Sequence, residues 1–392
     1  MSCVGAQPTV GAEVEGSGVC AQGCALADEL YGAAVEVEAR VAEVLLGGEV
    51  RRLPLSARDL VAAVPPTHLV EAARAWVRAR GTVELKKVIG GGNETRTYAD
   101  WVRAAFGEPV LARVHARYAR ARWGEPSHLS ANVARLHHAH RPAGPRWAYA
   151  ARALAPSGAR VVPGELLGIE AGGVRTSDGF VEGTVFVAMT PSRVASLLPQ
   201  ELRATLEAEA ALLETRDRVE VHLRAAGDGP LETHLLDAPG GFYRLLRTGR
   251  LPGGPRGGVA LHAAVAAGGE VVTAEWTHRA ADVLGQMGMV ADAADAKVIV
   301  RRDAQPVWSG PHLARMRRHV MALAGIGVVP IGREGMHAPL DLAAELAWLD
   351  AAQAALSDEK PARALREAMR TLVDPPSEDA PERPRLADLV IR

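Results

Sequence analysis

Between residues 33 and 55 the chain reads AAVEVEARVAEVLLGGEVRRLPL, with apolar and polar positions alternating until Gly47-Gly48. Successive side chains of a strand point to opposite faces, so this period predicts strands around a hairpin turn. From Ser56 the pattern becomes helical, with an interruption at Pro65-Pro66, and Gly90-Gly91-Gly92-Asn93 reads as a loop. Thr97 is placed to cap a helix whose third residue is Asp100. Trp101, Val102, Ala105 and Phe106 then recur at helical spacing until Gly107. A second helix is predicted from about Pro109 to Arg122, with Val110, Leu111, Val114 and Tyr118 on one stripe. It ends at Trp123-Gly124-Glu125-Pro126.

The second half changes character. From Ala159, short apolar runs alternate with Gly-Gly and Asp-Gly turns, the pattern of a small β-meander. It leads into a strand at Thr184–Met189 and a helix from Ser192. Val219–Leu223, Thr233–Leu236 and Val259–Val265 read as strands of a further sheet. Lys297–Arg301 is predicted as a strand and His312–Ala324 as a helix. A strand at Ile326–Ile331 then ends at Gly332, and a final helix covers about Leu342–Ala355. Asp374–Pro384 is acidic and proline-rich, a solvated linker or tail. There is no internal repeat.

Composition narrows the class. The 392 residues are 48% hydrophobic and 23% charged, which excludes wholesale disorder and suffices for a sizeable core. Basic and acidic residues number 45 and 46, a net charge of −1, so no basic field points to nucleic acid. Apolar runs such as Val320–Ile331 fall short of a membrane span, and Met1–Val10 lacks the basic and apolar regions of a signal peptide. A cytoplasmic location is expected. Only four basic residues are lysines, and the arginines are scattered along the chain, so no single one marks a site. Cys20 and Cys24 are spaced C-x3-C with no second pair, which disfavours zinc. His137, His138 and His140 lack a nearby carboxylate or thiol and read as surface histidines. Trp147 and Tyr149, and Gly241-Phe242-Tyr243-Arg244, are candidates for core or for the lining of a substrate pocket. No nucleophile elbow, P-loop or metalloprotease motif is present.

Five stretches, in order, resemble the flavin-dependent amine oxidase and protoporphyrinogen oxidase superfamily, including relatives close to UDP-galactopyranose mutase. They are Gly48–Leu55; Tyr98–Val102 with Phe106-Gly107, Tyr118 and Trp123-Gly124; Gly158–Val161 with Leu166 and Ile169; Thr184–Pro191; and Gly332-Arg333-Glu334-Gly335. The resemblance implies an α/β, FAD/NAD(P)-binding flavoprotein-like fold with an antiparallel substrate-side sheet and a helical insert. It implies cofactor contacts at Gly332, Arg333, Gly335, Asp341, Leu342 and Leu166. A strand ending in glycines before a helix brings backbone N–H groups and the positive dipole end towards an anion. Catalytic residues are not identified by it, and no metal is implied.

The superfamily opens with a strand, G-x-G-x-x-G and a helix. Here Gly16–Ala21 is formally G-x-G-x-x-A, but Glu13-Val14-Glu15 before it is charged where a central parallel strand is apolar. The dinucleotide-binding domain is therefore expected to be incomplete, through a misplaced start or a lost cofactor site. The expected divisions are 1–60, partial nucleotide-binding domain and hairpin; 61–150, helical insert; 151–200, return to that domain; 201–300, substrate-side sheet; 301–372, its C-terminal part; and 373–392, tail. Two functions stay open. One is an FAD-dependent oxidoreductase-like protein acting on an unidentified small molecule. The other is a pseudoenzyme that keeps the fold as a binding or partner subunit.

Overall fold

A computed structural model describes residues 2–4, 12–15, 35–39, 43–52, 65–81, 97–131, 145–149, 160–162, 165–170, 172–229, 231–250, 255–331, 342–356 and 363–364. In chain order the first elements are β1 (Ser2–Val4), β2 (Ala12–Glu15), β3 (Val35–Ala39), β4 (Glu43–Leu46), β5 (Glu49–Arg52), α1 (Pro66–Gly81), α2 (Tyr98–Phe106) and α3 (Ala116–Arg122). Next come β6 (Pro145–Tyr149), β7 (Arg160–Val162), β8 (Leu166–Glu170), β9 (Gly173–Thr176), β10 (Gly179–Glu182), β11 (Val185–Val187), α4 (Pro191–Leu197) and α5 (Gln200–Ala211). The remainder are β12 (Thr215–Ala226), β13 (Glu232–Leu235), β14 (Phe242–Leu246), β15 (Gly258–Ala266), α6 (Thr273–Gln286), β16 (Val290–Pro306), α7 (His312–Ala324), β17 (Val328–Pro330) and α8 (Leu342–Leu356). Two compact units result, one of Met1–Glu36, Gly144–Glu214 and His312–Pro376, the other of Val37–Ala143, Thr215–Pro311 and Ser377–Arg392.

In the first unit, β1 pairs parallel with β7 and β11 pairs parallel with β17. Strand β17 is buried on both faces. Val328 packs among Ile169, Val187, Val194 and Leu323, while Val329 packs among Met316, Val320, Trp348 and Ala352. Burial on both faces is what parallel strands require, and it explains the unbroken apolar run there. Helix α7 supplies Met316, Val320 and Ala324 to one of these clusters and Leu323 to the other. The Trp348 indole N–H donates to the Pro330 carbonyl at 2.8 Å, fastening the second turn of α8 to the end of β17. Strand β2 pairs antiparallel with β6, an arrangement that tolerates its glutamates. Strands β8, β9 and β10 form the expected meander.

The second unit is built on a seven-stranded sheet, order β16-β12-β15-β14-β13-β4-β5. It is antiparallel except where β13 meets β4. The β4–β5 turn is Gly47-Gly48, with φ of 65° and 75°, the left-handed pair that a two-residue hairpin needs. One face of the sheet carries Val219, Val221, Leu223, Leu235, Phe242, Leu245 and Leu261. Helix α6 covers it with Trp276, Ala280, Val283 and Leu284. On the other face, Val44, Leu46 and Tyr243 join the core of α2 and α3.

Helix α2 begins as expected. Thr97 Oγ1 accepts the Asp100 N–H at 3.1 Å and the Asp100 carboxylate accepts the Thr97 N–H at 3.3 Å, a complete capping box. The helix predicted from Pro109 is three consecutive pieces: Glu108–Val110, a π turn at Leu111–His115, and α3. In the π turn the Ala116 N–H reaches back five residues to the Leu111 carbonyl, which rotates α3 relative to the course of an unbroken α-helix. Pro66 opens a helix, where its missing N–H costs nothing, and the stretch from Ser56 that precedes it lies outside the described residues.

Candidate functional site

Strand β12 alternates strictly between the two faces. Val219, Val221 and Leu223 enter the apolar core, so Arg218, Glu220 and His222 stand on the opposite face. The same alternation puts Glu232 and His234 of β13 and His262 of β15 on that face, and a register shift between Phe242 and Arg244 brings Arg244 of β14 there too. Register aligns them across the strands: His234 opposite Arg244, Arg244 opposite His262, and His262 opposite Glu220. The result is a ladder of charged and imidazole groups on the side of the sheet opposite the core that α6 covers.

Ion pairs lock its two ends. Arg218 Nε and Arg301 Nε each donate to Glu220 Oε1 at 2.8 Å, and His222 Nε2 lies 3.4 Å from Oε2. Arg244 Nε lies 2.6 Å from Glu232 Oε1, with His234 Nε2 at 3.7 Å from the same oxygen. Burial alone would raise the Glu220 pKa, but His222, Arg218 and Arg301 outweigh it and hold the carboxyl well below its usual range. His262 is pushed the opposite way for an imidazole: burial, then the Arg244 and Arg218 guanidiniums, lower its pKa to about 3.

An aromatic group adjoins the ladder. Tyr118 of α3 has its hydroxyl 3.1 Å from His234 Nδ1 and accepts from Arg122 NH1 at 2.6 Å. The Arg122 guanidinium lies 5.7, 5.1 and 5.5 Å from the ring centres of Tyr118, Trp123 and Tyr243, within cation–π range of all three. Because arginine can only donate, the Tyr118 hydroxyl hydrogen is free to go to His234 Nδ1. The other ring nitrogen then carries the proton facing Glu232. Arg122, Tyr118, His234 and Glu232 thus form one directional chain of donors and acceptors. Tyr243 hangs beside it, its hydroxyl donating to Gln305 at 3.3 Å.

This face offers oriented donors, fixed charges and aromatic rings, the means of holding a polar small molecule. Its central imidazole is neutral at neutral pH, so it accepts or donates hydrogen bonds without acting as a strong base. Among the described residues, no group of three or more His, Cys, Asp or Glu is placed to hold a metal, and no helix is long and apolar enough to cross a membrane.

No protein-family model matches the chain, and no curated protein matches it. Solved structures do. A reduced UDP-galactopyranose mutase superposes over 88% of this chain and 80% of its own, with TM-score 0.59 and 10% identity. A protein assigned as protoporphyrinogen oxidase from Exiguobacterium sp. 255-15 covers 83% of each chain, with TM-score 0.56 and 13% identity. A fatty acid isomerase from P. acnes that produces CLA covers 83% of this chain and 84% of its own, with TM-score 0.54 and 10% identity. The chain shares its overall fold with these three solved structures. At these identities the likeness establishes fold and nothing finer.

The residues expected at the cofactor fall unevenly in this fold. Leu166 opens β8, is half-buried and packs against the cluster of Ile169 and Leu198. Leu342 is the first residue of α8. Gly332, Arg333, Gly335 and Asp341 lie outside the described residues, between the end of β17 and the start of α8. Gly16–Ala21, the cysteines at 20 and 24, and the histidines at 137, 138 and 140 also lie outside them; Trp147 and Tyr149 fall in β6. The Phe242-Tyr243-Arg244 stretch divides between faces: Phe242 packs on Trp276 in the core, while Tyr243 and Arg244 join the polar side. Motif reasoning does not find the rest of the ladder. Its signal is the run Arg218-Val219-Glu220-Val221-His222-Leu223-Arg224, where every second residue is charged or imidazole.

Proposed function

We propose that the chain is an FAD-dependent oxidoreductase-like protein acting on a small molecule. The observation that carries this reading is the arrangement of β11, β17 and α8 in a chain with a flavin amine oxidase-like fold. A buried parallel strand runs into a connector holding Gly332 and Gly335, and beyond it comes a helix fastened to that strand by Trp348. The described flanks fit an anion-binding strand–turn–helix, so Gly332, Arg333, Gly335, Asp341 and Leu342 are the residues assigned to the cofactor. Leu166, from the meander, is assigned to the same binding surface.

When bound, FAD supplies hydride acceptance at the flavin N5.

The test is the visible spectrum of the purified full-length protein, then titration with FAD and measurement of flavin fluorescence. Yellow absorbance that co-purifies, or saturable uptake of added FAD that G332A/G335A weakens, supports the proposal. A folded, colourless protein that takes up no FAD overturns it and favours a non-catalytic binding or partner subunit.

A further inference from the structure

A second site lies where β12 and β14 end and β15 and β16 begin, around a groove of about 900 Å³. Three guanidiniums line it, from Arg224, Arg247 and Arg256, together with the carboxylates of Asp228 and Asp292. In the sequence these arginines are 23 and 9 residues apart and look unrelated; the antiparallel turns bring them to one rim.

Arg247 forms the buried floor, donating to Thr233 Oγ1 at 3.0 Å. The chain passes directly over it only because residue 229 is glycine. A Cβ there would sit 2.4 Å from the Arg247 NH2, on a backbone with φ of +156°. Gly227, Gly249, Gly257 and Gly258 continue this wall, and at Gly258 a Cβ would meet Pro255 Cγ and Thr248 Oγ1 at 2.7 Å. At each of these positions a Cβ would meet neighbouring chain, so the glycines let the segments of the wall pack closely.

Arg224 and Arg256 are exposed, and neither is ion-paired within the described residues. Asp292 stands across the strand from Arg224, but its Oδ1 accepts the Ala294 N–H at 3.0 Å. Guanidinium pairs recognise phosphate with bidentate geometry. The volume falls in the range of sites for small organic molecules. We infer that this groove binds a small organic phosphate, its phosphoryl group against Arg224 and Arg256 and its hydroxyl groups donating to Asp228 and Asp292.

The experiment is calorimetric titration of the full-length protein with ribose 5-phosphate and, separately, inorganic phosphate. Both are expected to bind saturably, ribose 5-phosphate more tightly. The double variant R224A/R256A, at two exposed positions, is expected to weaken both by about tenfold or more. D228N/D292N is expected to weaken ribose 5-phosphate alone. Absence of saturable binding, or binding untouched by R224A/R256A, overturns the inference; the second result would place the phosphate at some other site on the chain. Binding of inorganic phosphate with exclusion of ribose 5-phosphate would overturn the assignment of an organic ligand.

Discussion

Arg244 and His262 stand opposite each other on neighbouring strands, and the guanidinium helps to keep the imidazole unprotonated. The folded protein resists protonation of His262 until pH falls to about 3, whereas the unfolded chain takes up that proton near pH 6.5. Between these values the unfolded state binds more protons, so this histidine makes stability fall as pH falls. H262N has no such proton to bind. Its urea midpoint should therefore decline less than that of the wild type over the same window. Parallel pH profiles for the two proteins would show that His262 titrates normally.

The Tyr118 hydroxyl serves Arg122 and His234 at once. Y118F keeps the ring and its edge contact with Trp123 but leaves a charged donor and an imidazole nitrogen without their shared partner. Loss of a buried hydrogen bond to a charged group predicts a cost of ~2 kcal/mol in chemical denaturation. If the ladder holds substrate, Y118F should also raise KM, because His234 loses the contact that fixes its ring. A variant as stable as the wild type would remove Tyr118 from the network.

How legible each element is in the sequence depends on how local its signal is. Helix α7 matches its predicted ends, His312 and Ala324, because its apolar stripe and flanking breaks lie within its own residues. The β4–β5 hairpin likewise comes from Gly47-Gly48 alone. Helix α6 is not among the predicted elements, although Trp276, Ala280, Val283 and Leu284 recur at i, i+4, i+7 and i+8, the signature of one buried face. Strand β16 runs from Val290 to Pro306, yet only Lys297–Arg301 reads as a strand in the sequence. Its first half is alanine and aspartate, residues of low strand propensity that pairing with β12 overrides. The polar ladder resists reading for a different reason. Its members come from four strands, and register, which no local pattern encodes, is what brings His262 between Arg244 and Glu220.

The Thr97 cap offers a check on the helical insert. Its side chain and that of Asp100 exchange bonds with each other's backbone N–H groups. T97A removes one side of that exchange and should destabilise the protein by about 1 kcal/mol, whereas T97S should be close to neutral. Denaturant midpoints of the two variants decide it; equal losses would mean that the methyl group, not the hydroxyl, matters at this position.

Trp348 tests whether the β17–α8 arrangement serves the cofactor. Its indole N–H is the hydrogen bond from α8 to the Pro330 carbonyl, and its ring is 1% exposed. W348F leaves that buried carbonyl without its donor and removes one ring's volume, so a loss of roughly 2–3 kcal/mol is expected from the two effects. Stability alone does not discriminate, because any core change lowers it. If the connector after β17 binds FAD, loosening the helix that closes it should weaken FAD uptake under conditions where W348F remains folded. A core variant that leaves Trp348 in place, such as L206A in the neighbouring cluster, should lose stability without that weakening. Equal FAD affinity in the folded populations of W348F, L206A and the wild type would mean that the fastening of α8 has no part in binding the cofactor.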